Sequence, residues 1–278
     1  MRNHFVATES DFRRRTQKLF ETANIKIDSV VSDLFGVSGR NLMELLLSTS
    51  ITDITLDDIQ RCLRGRLNKK REELHRAIQG FFVDHHRFIL CNYLQMIDTC
   101  RQAINNIESR IEEIMQPYND IMDRLQEIPG VGPLAAAAIL ARTGTTLAEF
   151  KSSAALCSWA GVCPGNNESA GKRHSGRSPV RKHPLKTLLV EIAWAAIKVK
   201  GSYYRDKFYR LRARRGAKRA IIAIAHRILK AVYAIIKHGE RYRELGEEYL
   251  AQRNEELQVF RLKKMADRYG FELVAKAA

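Results

Sequence analysis

Ser169 is followed within four residues by Lys172 and Arg173, and these residue types in this order could carry out chemistry on a phosphodiester. A hydroxyl can attack phosphorus, while neighbouring cations stabilise the charge that develops on the phosphate oxygens. Glycines flank the serine, and a backbone without side chains can approach a phosphate closely. The segment therefore suits a serine held near a phosphodiester and makes DNA chemistry the first hypothesis, with Lys172, Arg173 and Arg177 as the nearest cations.

Other side chains of the same segment compete for this role. Ser175 and Ser178 also lie among the cations, and any loop serine can instead cap a turn. His174 and His183 could orient phosphates, but histidines in a basic loop are more often only solvated. Neither histidine enters the predicted catalytic set, and Ser169 ranks above the other serines because of the resemblance described below.

The charge of the chain points to a polyanionic partner. The 278 residues carry a formal charge of +16, and between positions 172 and 219 sixteen lysines and arginines face only Glu191 and Asp206, a net charge of +14. A solvated helix face normally mixes both signs, so this window predicts nucleic-acid binding. The predicted binding cations are Lys172, Arg173, Arg177, Arg181, Lys182, Arg212, Arg214, Arg215, Lys218 and Arg219.

Aromatic residues are interleaved with these cations and could stack on bases or sugars. They are Tyr203, Tyr204, Phe208 and Tyr209. The alternative is that they are core residues beneath an ordinary solvated face.

Several classes of protein are disfavoured. No apolar run reaches the length of about eighteen residues that a spanning helix needs, and the first residues lack an apolar signal core, so we expect a cytoplasmic, nucleoid-associated protein without membrane contact. Five cysteines form no CxxC pair, which argues against a disulfide framework. Cys157 and Cys163 flank the serine segment without a nearby histidine pair, so no metal site is predicted.

Apolar residues at three- and four-residue spacing predict a long helix over positions 90 to 125, which should begin near Asp84 and break near Pro117. So long a periodic stretch favours an extended coiled-coil arm that self-associates, paired with helix from about Leu56 to Phe81. The alternative is an ordinary core helix.

The segment from Leu125 to Leu140 indicates a helix, a glycine hairpin and a second helix. Gly130 and Gly132 permit a tight turn, Pro133 suits the first helical position, and free N–H groups there could hold a phosphate. This resembles the helix-hairpin-helix motif of proteins that bind DNA without reading its sequence. The alternative is a tight turn whose alanines let two helices pack closely.

The predicted fold is mainly α. It divides into a helical connector (1–54), a coiled-coil arm (55–124), a compact helical domain with the hairpin and the serine loop (125–250) and a charged tail (251–278). Within the compact domain, apolar stripes predict a helix opening at Pro184 and a second helix from about Ile221 to Ile236, ended by Gly201 and Gly239.

The serine loop, the glycine hairpin and the segment Lys218–His226 together resemble the C-terminal domain of the insertion-sequence 110 (116/110/902) family of transposases. The segments Ser29–Arg40 and Phe82–Phe88 are similar to the connecting part of those proteins. The resemblance covers about residues 10 to 250.

The resemblance implies a recombinase with two catalytic halves. Members carry a RuvC-like domain whose four acidic residues bind Mg²⁺, and a second domain whose serine forms a phosphoserine link to DNA. They also use a structured guide RNA of the element. Carried onto this chain, the nucleophile is Ser169.

The sequence departs from that pattern at its start, because the connecting segment begins within the first few dozen residues. Glu9 and Asp11 lie in a charged helical stretch and are not predicted as metal ligands, so this chain is expected to bind no Mg²⁺ by itself. We expect either a transposase that needs the nuclease domain in trans or a nucleic-acid-binding remnant that regulates transposition. Either would bind DNA, and the helical arm would make it a homo-oligomer.

Overall fold

The computed structural model describes residues 1–164, 167–169, 172–175, 183–246 and 248–272. Most of these residues are helical, which confirms the mainly α fold. The chain divides into two compact units, Met1–Glu112 and Glu113–Ala278.

The first unit is built from six helices and two short 3₁₀ helices. The helices are α1 (Arg2–Thr22), α2 (Ile27–Val30), α3 (Val37–Ser48), α4 (Leu56–Cys62), α5 (Arg71–Ala77) and α6 (Asp84–Met115), whose last residues pass into the second unit; the 3₁₀ helices are Ile51–Asp53 and Gly65–Lys70. Thr55 begins α4 with a capping box: its hydroxyl accepts from the Asp58 N–H, and the Asp58 carboxylate accepts from the Thr55 N–H. The core of the unit is one apolar cluster drawn from all six helices.

Helix α6 begins at Asp84 and ends before Pro117, as the sequence predicts. The first half of α6 does not form the expected coiled-coil arm. Leu90, Leu94 and Ile97 are buried in the apolar cluster of their own unit. The segment expected to pair with the arm is broken into α4, a 3₁₀ helix and α5, because Leu63 and Gly65 leave the helical path. The first half of the amphipathic face of α6 thus packs in an intramolecular core, as in the alternative interpretation, while self-association through the rest of the helix stays a prediction.

The described residues of the second unit form seven helices, a 3₁₀ helix and two short strands. They are the 3₁₀ helix Gln116–Tyr118, α7 (Asn119–Gln126), α8 (Pro133–Thr143), α9 (Ser153–Trp159), β1 (Asn167–Ser169), β2 (Lys172–Ser175), α10 (Pro184–Ala196), α11 (Tyr203–Arg215), α12 (Ala217–His238) and α13 (Tyr249–Arg268).

Helix α12 is the centre of this unit. Its predicted stripe is buried from Ile221 to Ile236, and it packs against α7, α9, α10 and α11. Gly239 ends α12 as predicted, whereas α10 ends at Ala196, well before Gly201. Because the apolar stripe of α12 faces inward, the polar side of the helix is left at the surface of the unit.

Most of α13 lies in the expected tail at 251–278. Among the described side chains of α13, Leu250 is buried and most others are exposed.

Candidate nucleic-acid interface

Ser169 lies at the end of β1, in a two-stranded antiparallel hairpin that connects α9 to α10. The backbone of Ser169 pairs with that of Lys172, and Glu168 pairs with Arg173. Directly opposed residues of an antiparallel pair lie about 5 Å apart at Cα, so the serine and the first cation of the basic run share one end of the hairpin. The pairing gives a structural reason for the spacing of three residues between Ser169 and Lys172.

Aromatic packing fixes the two ends of the segment that carries the hairpin. The Trp159 ring at the end of α9 contacts the His183 ring, with centroids 4.4 Å apart, and also packs on Phe150. His183 caps α10, because its Nδ1 accepts a hydrogen bond of 3.2 Å from the Leu185 N–H. The role of His183 in the structure is therefore to anchor α10.

The predicted cations Arg212, Arg214, Arg215, Lys218 and Arg219 lie where α11 ends and α12 begins. We call these five residues the α11–α12 corner. All five are exposed, and no ion pair to any of them exists within the described residues. Five neighbouring cations without a carboxylate repel one another, so an external polyanion would lower their electrostatic energy.

The aromatic residues between these cations divide between core and surface. Tyr203, Tyr204 and Phe208 are 7%, 2% and 3% exposed, so they cannot stack on a nucleic acid and the interpretation as stacking residues was wrong for them. Tyr209 is 48% exposed, so its ring remains available for the predicted stacking on a base or sugar. The guanidinium carbons of Arg205 and Arg212 lie 5.5 and 5.9 Å from its ring centroid.

Cations from three helices converge around Lys207. Burial lowers the pKa of Lys207, and the positive charges of Arg227 on α12, Arg214 on α11 and Arg253 on α13 lower it further. Arg210 also contributes, although it is paired with Asp206 at 2.8 Å. The repulsion that lowers this pKa marks a place where bound phosphate would be stabilised.

Sequence reasoning missed two of these cations. Arg227 lies on the polar side of α12, opposite the apolar stripe, which is a signal available from the sequence. Arg253 lay in the expected tail, and only the helix α13 brings it near Lys207.

Capping contacts hold α11 in position. Ser202 accepts from the Arg205 N–H, and the Glu244 carboxylate accepts a 2.8 Å hydrogen bond from the Tyr203 N–H. Burial raises the pKa of Tyr204, whose ring stacks on Tyr242 at 6.1 Å. The corner therefore extends from a helix whose first turn is fixed in the core.

The predicted glycine hairpin connects α7 to α8, and Pro133 is the first residue of α8 as expected. Gly130 has φ of 85°, and a Cβ there would lie 2.6 Å from the Ile192 carbonyl oxygen of α10. Gly132 is exposed with no atom within 4 Å of such a Cβ. Gly130 thus serves close helix packing, while Gly132 begins α8 at the surface, where its neighbouring N–H groups face solvent.

The described residues do not fit a Mg²⁺ ion, because they contain no group of three or more His, Cys, Asp or Glu side chains able to hold a metal. The Glu9 carboxylate accepts hydrogen bonds from Arg13 and Arg101, and the Asp11 carboxylate accepts from Arg14 and Arg15.

The two cysteines beside the serine segment differ in burial. Burial raises the pKa of the Cys157 thiol to about 12, with further contributions from its neighbours. The pKa of Cys163, which is only partly buried, is also raised by burial.

Three predicted binding cations, Arg177, Arg181 and Lys182, lie outside the described residues. Within the described ranges, no helix is both long enough and apolar enough to cross a bilayer.

Comparison with known proteins finds a family match within the second unit. Residues 122–210 match the model of the Transposase IS116/IS110/IS902 family. This part of the chain is similar to a transposase domain of that family. The matched range contains the glycine hairpin, the serine hairpin and most of α11, so the domain carries Gly130, Gly132, Ser169, Lys172 and Arg173.

Three curated relatives agree with this assignment. The transposase for insertion sequence element IS1111A of Coxiella burnetii is 29% identical over 56% of this chain and 43% of its own length. A protein assigned as transposase y4pF/y4sB of Sinorhizobium fredii is 26% identical over 52% of this chain and 39% of its own length. A protein assigned as the mini-circle transposase for IS117 of Streptomyces coelicolor is 28% identical over 44% and 29%, respectively. The matches thus span less than half the length of each relative.

Proposed function

We propose that this protein is a DNA transposase of an insertion sequence, which cuts and rejoins DNA through Ser169. The observation that carries the proposal is the transposase-domain match over residues 122–210, which includes a hairpin whose backbone pairs Ser169 with Lys172. A nucleophile and a cation at one hairpin end are two of the groups that attack on a phosphodiester requires.

In the proposed reaction the Ser169 Oγ attacks phosphorus and displaces one DNA hydroxyl, which leaves with a proton. The product is a serine phosphodiester. A hydroxyl of the second DNA strand then attacks the same phosphorus, joins the strands and releases the serine. One phosphodiester replaces another at each step, so the exchange needs no external energy source.

The cations supply the two other requirements of this exchange. Lys172 and Arg173 follow the serine and would stabilise the charge that develops on the reacting phosphate. The α11–α12 corner and the cations around Lys207 would hold flanking DNA by its phosphates. Contacts of that kind position a duplex without reading its sequence.

The complete reaction requires more than the described residues supply. A serine hydroxyl of ordinary pKa is a weak nucleophile and needs a proton acceptor. We propose that an acidic nuclease half of the kind implied by the family resemblance acts together with this chain. Target choice through a guide RNA and assembly into homo-oligomers belong to the same proposal.

The test is a search for the serine–DNA adduct. Wild-type protein and the variants Ser169→Ala and Ser175→Ala are incubated with element-end DNA, with and without an added nuclease domain from a relative, and the adduct is mapped by mass spectrometry. The Ser175 variant is the matched control, because Ser175 lies in the same hairpin opposite Asn167. We expect the adduct in wild type and in Ser175→Ala only, with equal DNA affinity in all three.

An adduct that persists in Ser169→Ala would remove Ser169 from the mechanism. No adduct in any protein, with the nuclease domain present, would favour the second candidate, a DNA-binding regulator of transposition. The observation behind that candidate is that the five exposed cations of the α11–α12 corner form no ion pair with a described residue. Such a surface can bind DNA without a catalytic serine.

A further inference from the structure

The first unit carries a second basic surface, on the loop that connects α4 to α5. Between Arg61 and Arg71 the chain has six cations and no carboxylate. We call this segment the 61–71 loop. All six cations are exposed: Arg61, Arg64, Arg66, Lys69, Lys70 and Arg71. It lies outside the residues matched by the transposase-domain model, which begin at residue 122.

Contacts to the core fix the backbone of this loop. Leu63 is 2% exposed, and the Arg64 N–H donates a 2.9 Å hydrogen bond to the hydroxyl of Ser38, itself buried. At the far end, the Lys70 ammonium donates to the Val30 carbonyl at 3.4 Å. Gly65 turns the chain outward with φ of 61° and open space around it. The cations are therefore presented from an anchored turn.

Within the described residues, four of these six cations have no charged partner. Arg61 pairs with Asp58 at 3.3 Å and Lys70 lies 3.9 Å from Glu73, both at the surface. The Arg64 guanidinium donates to the carbonyls of Arg61 and Leu63. Arg66, Lys69 and Arg71 form no ion pair with any described residue. Other arginines of the same unit are paired, as Arg40 is with Asp98 and Glu44.

The spacing of the unpaired cations fits a row of phosphates. Residues Gly65–Lys70 form a 3₁₀ helix, in which positions three apart lie above one another with a rise of about 2.0 Å per residue. Arg66 and Lys69 therefore share one side and are separated by about 6 Å along the axis, close to the rise of two nucleotides in one DNA strand, about 3.4 Å each. No aromatic residue lies between 61 and 71, so base stacking is not available and contact is limited to the backbone.

We infer that the 61–71 loop is a second DNA-binding surface, which holds the phosphate backbone of duplex DNA through Arg66, Lys69 and Arg71. The inference rests on the proposed function for the identity of the ligand. It adds a contact in a unit to which neither the sequence analysis nor the family match assigns one.

The test compares two triple variants of the full chain. One is Arg66→Ala/Lys69→Ala/Arg71→Ala in the loop, and the control is Arg14→Ala/Arg15→Ala/Lys18→Ala on α1, which removes the same charge from the same unit. Affinity for a 30-base-pair duplex is measured by fluorescence anisotropy from about 50 to 200 mM salt. Three lost phosphate contacts should make the slope of log K against log salt shallower by about 2.7 units. The control should keep the wild-type slope, and both variants should keep the wild-type thermal midpoint.

Equal slopes in the loop variant and wild type, or an equal loss in the control, would overturn the inference. So would a loss seen with a structured RNA of the same length but not with duplex DNA. A third variant, Arg212→Ala/Arg214→Ala/Arg215→Ala, separates the inference from the proposed function. If that variant binds DNA as wild type does while the loop variant binds more weakly, the proposed contact at the α11–α12 corner is rejected and the contact at the 61–71 loop is supported. If only the corner variant binds more weakly, the contact at the 61–71 loop alone is rejected.

Discussion

Helices α1 and α6 of the first unit and the α11–α12 corner use arginine in opposite ways. In the first unit, Arg13 and Arg101 both donate to Glu9, and Arg2 pairs with Glu108 at 2.6 Å. At the corner, the described residues provide no carboxylate for five neighbouring cations. The difference teaches that a count of arginines says little about function, because a paired arginine stabilises a fold and an unpaired cluster is free to bind an external anion.

The largest expected effect concerns two glycines of the second unit. Gly130 packs against the backbone of α10, whereas Gly132 has open space around it. Gly130→Ala should lower the free energy of unfolding by about 2–4 kcal/mol, because the new Cβ meets the α10 backbone at an unfavourable φ. Gly132→Ala, with open space around it, is the control and should change stability by less than about 1 kcal/mol. Denaturant unfolding measures both. Similar losses in the two variants would contradict the assigned packing.

At the α11–α12 corner, Arg212→Ala/Arg214→Ala/Arg215→Ala should weaken DNA binding and leave stability within about 0.5 kcal/mol of wild type. Three lost phosphate contacts flatten the salt dependence by about 2.7 units. Anisotropy titrations at several salt concentrations measure this effect. An unchanged slope would place the binding surface elsewhere.

At Glu9 on α1 the expected effect is reversed, since this carboxylate has internal partners. Glu9→Gln should lower the free energy of unfolding by about 1–3 kcal/mol, because two arginines lose a charged acceptor whose side chain is only 12% exposed. DNA affinity should stay the same. Asp11→Asn is the control and should cost less than Glu9→Gln, since its ion pairs with Arg14 and Arg15 are exposed. A loss of DNA affinity in Glu9→Gln without a loss of stability would contradict the assigned role of Glu9 in the fold.

The smallest expected effect is a dependence on pH. Burial alone would raise the pKa of Glu9, but hydrogen bonds and charges from Arg101 and Arg13 outweigh it, so the folded pKa lies below the ordinary value of 4.5. A lowered carboxyl pKa contributes stability above 4.5 that is lost as the pH falls through the folded value. Stability should therefore decrease below pH 4.5, and less steeply in Glu9→Gln. Denaturant unfolding across this range tests the difference, and equal slopes would contradict the assignment.

Much of the local structure could be predicted from the sequence, because it depends on neighbours along the chain. Pro133 opens α8, Asp84 opens α6, and the apolar stripe of α12 is buried as its spacing predicts. The serine hairpin was harder to foresee. Its strands have three and four residues, too short for an alternating pattern to mark them.

The sequence by itself determined that the chain is mainly helical, where several helices begin and end, and that an excess of cations is concentrated after the serine. These properties follow from local periodicity, proline and glycine positions, and composition. Only the tertiary structure decided which charges are paired and which aromatics are buried. Glu9 meets Arg101 across 92 positions, Tyr203 is buried while Tyr209 is exposed, and Arg253 reaches the surroundings of Lys207 through a separate helix. Such contacts depend on how helices distant in the chain pack together, and no local pattern records that packing.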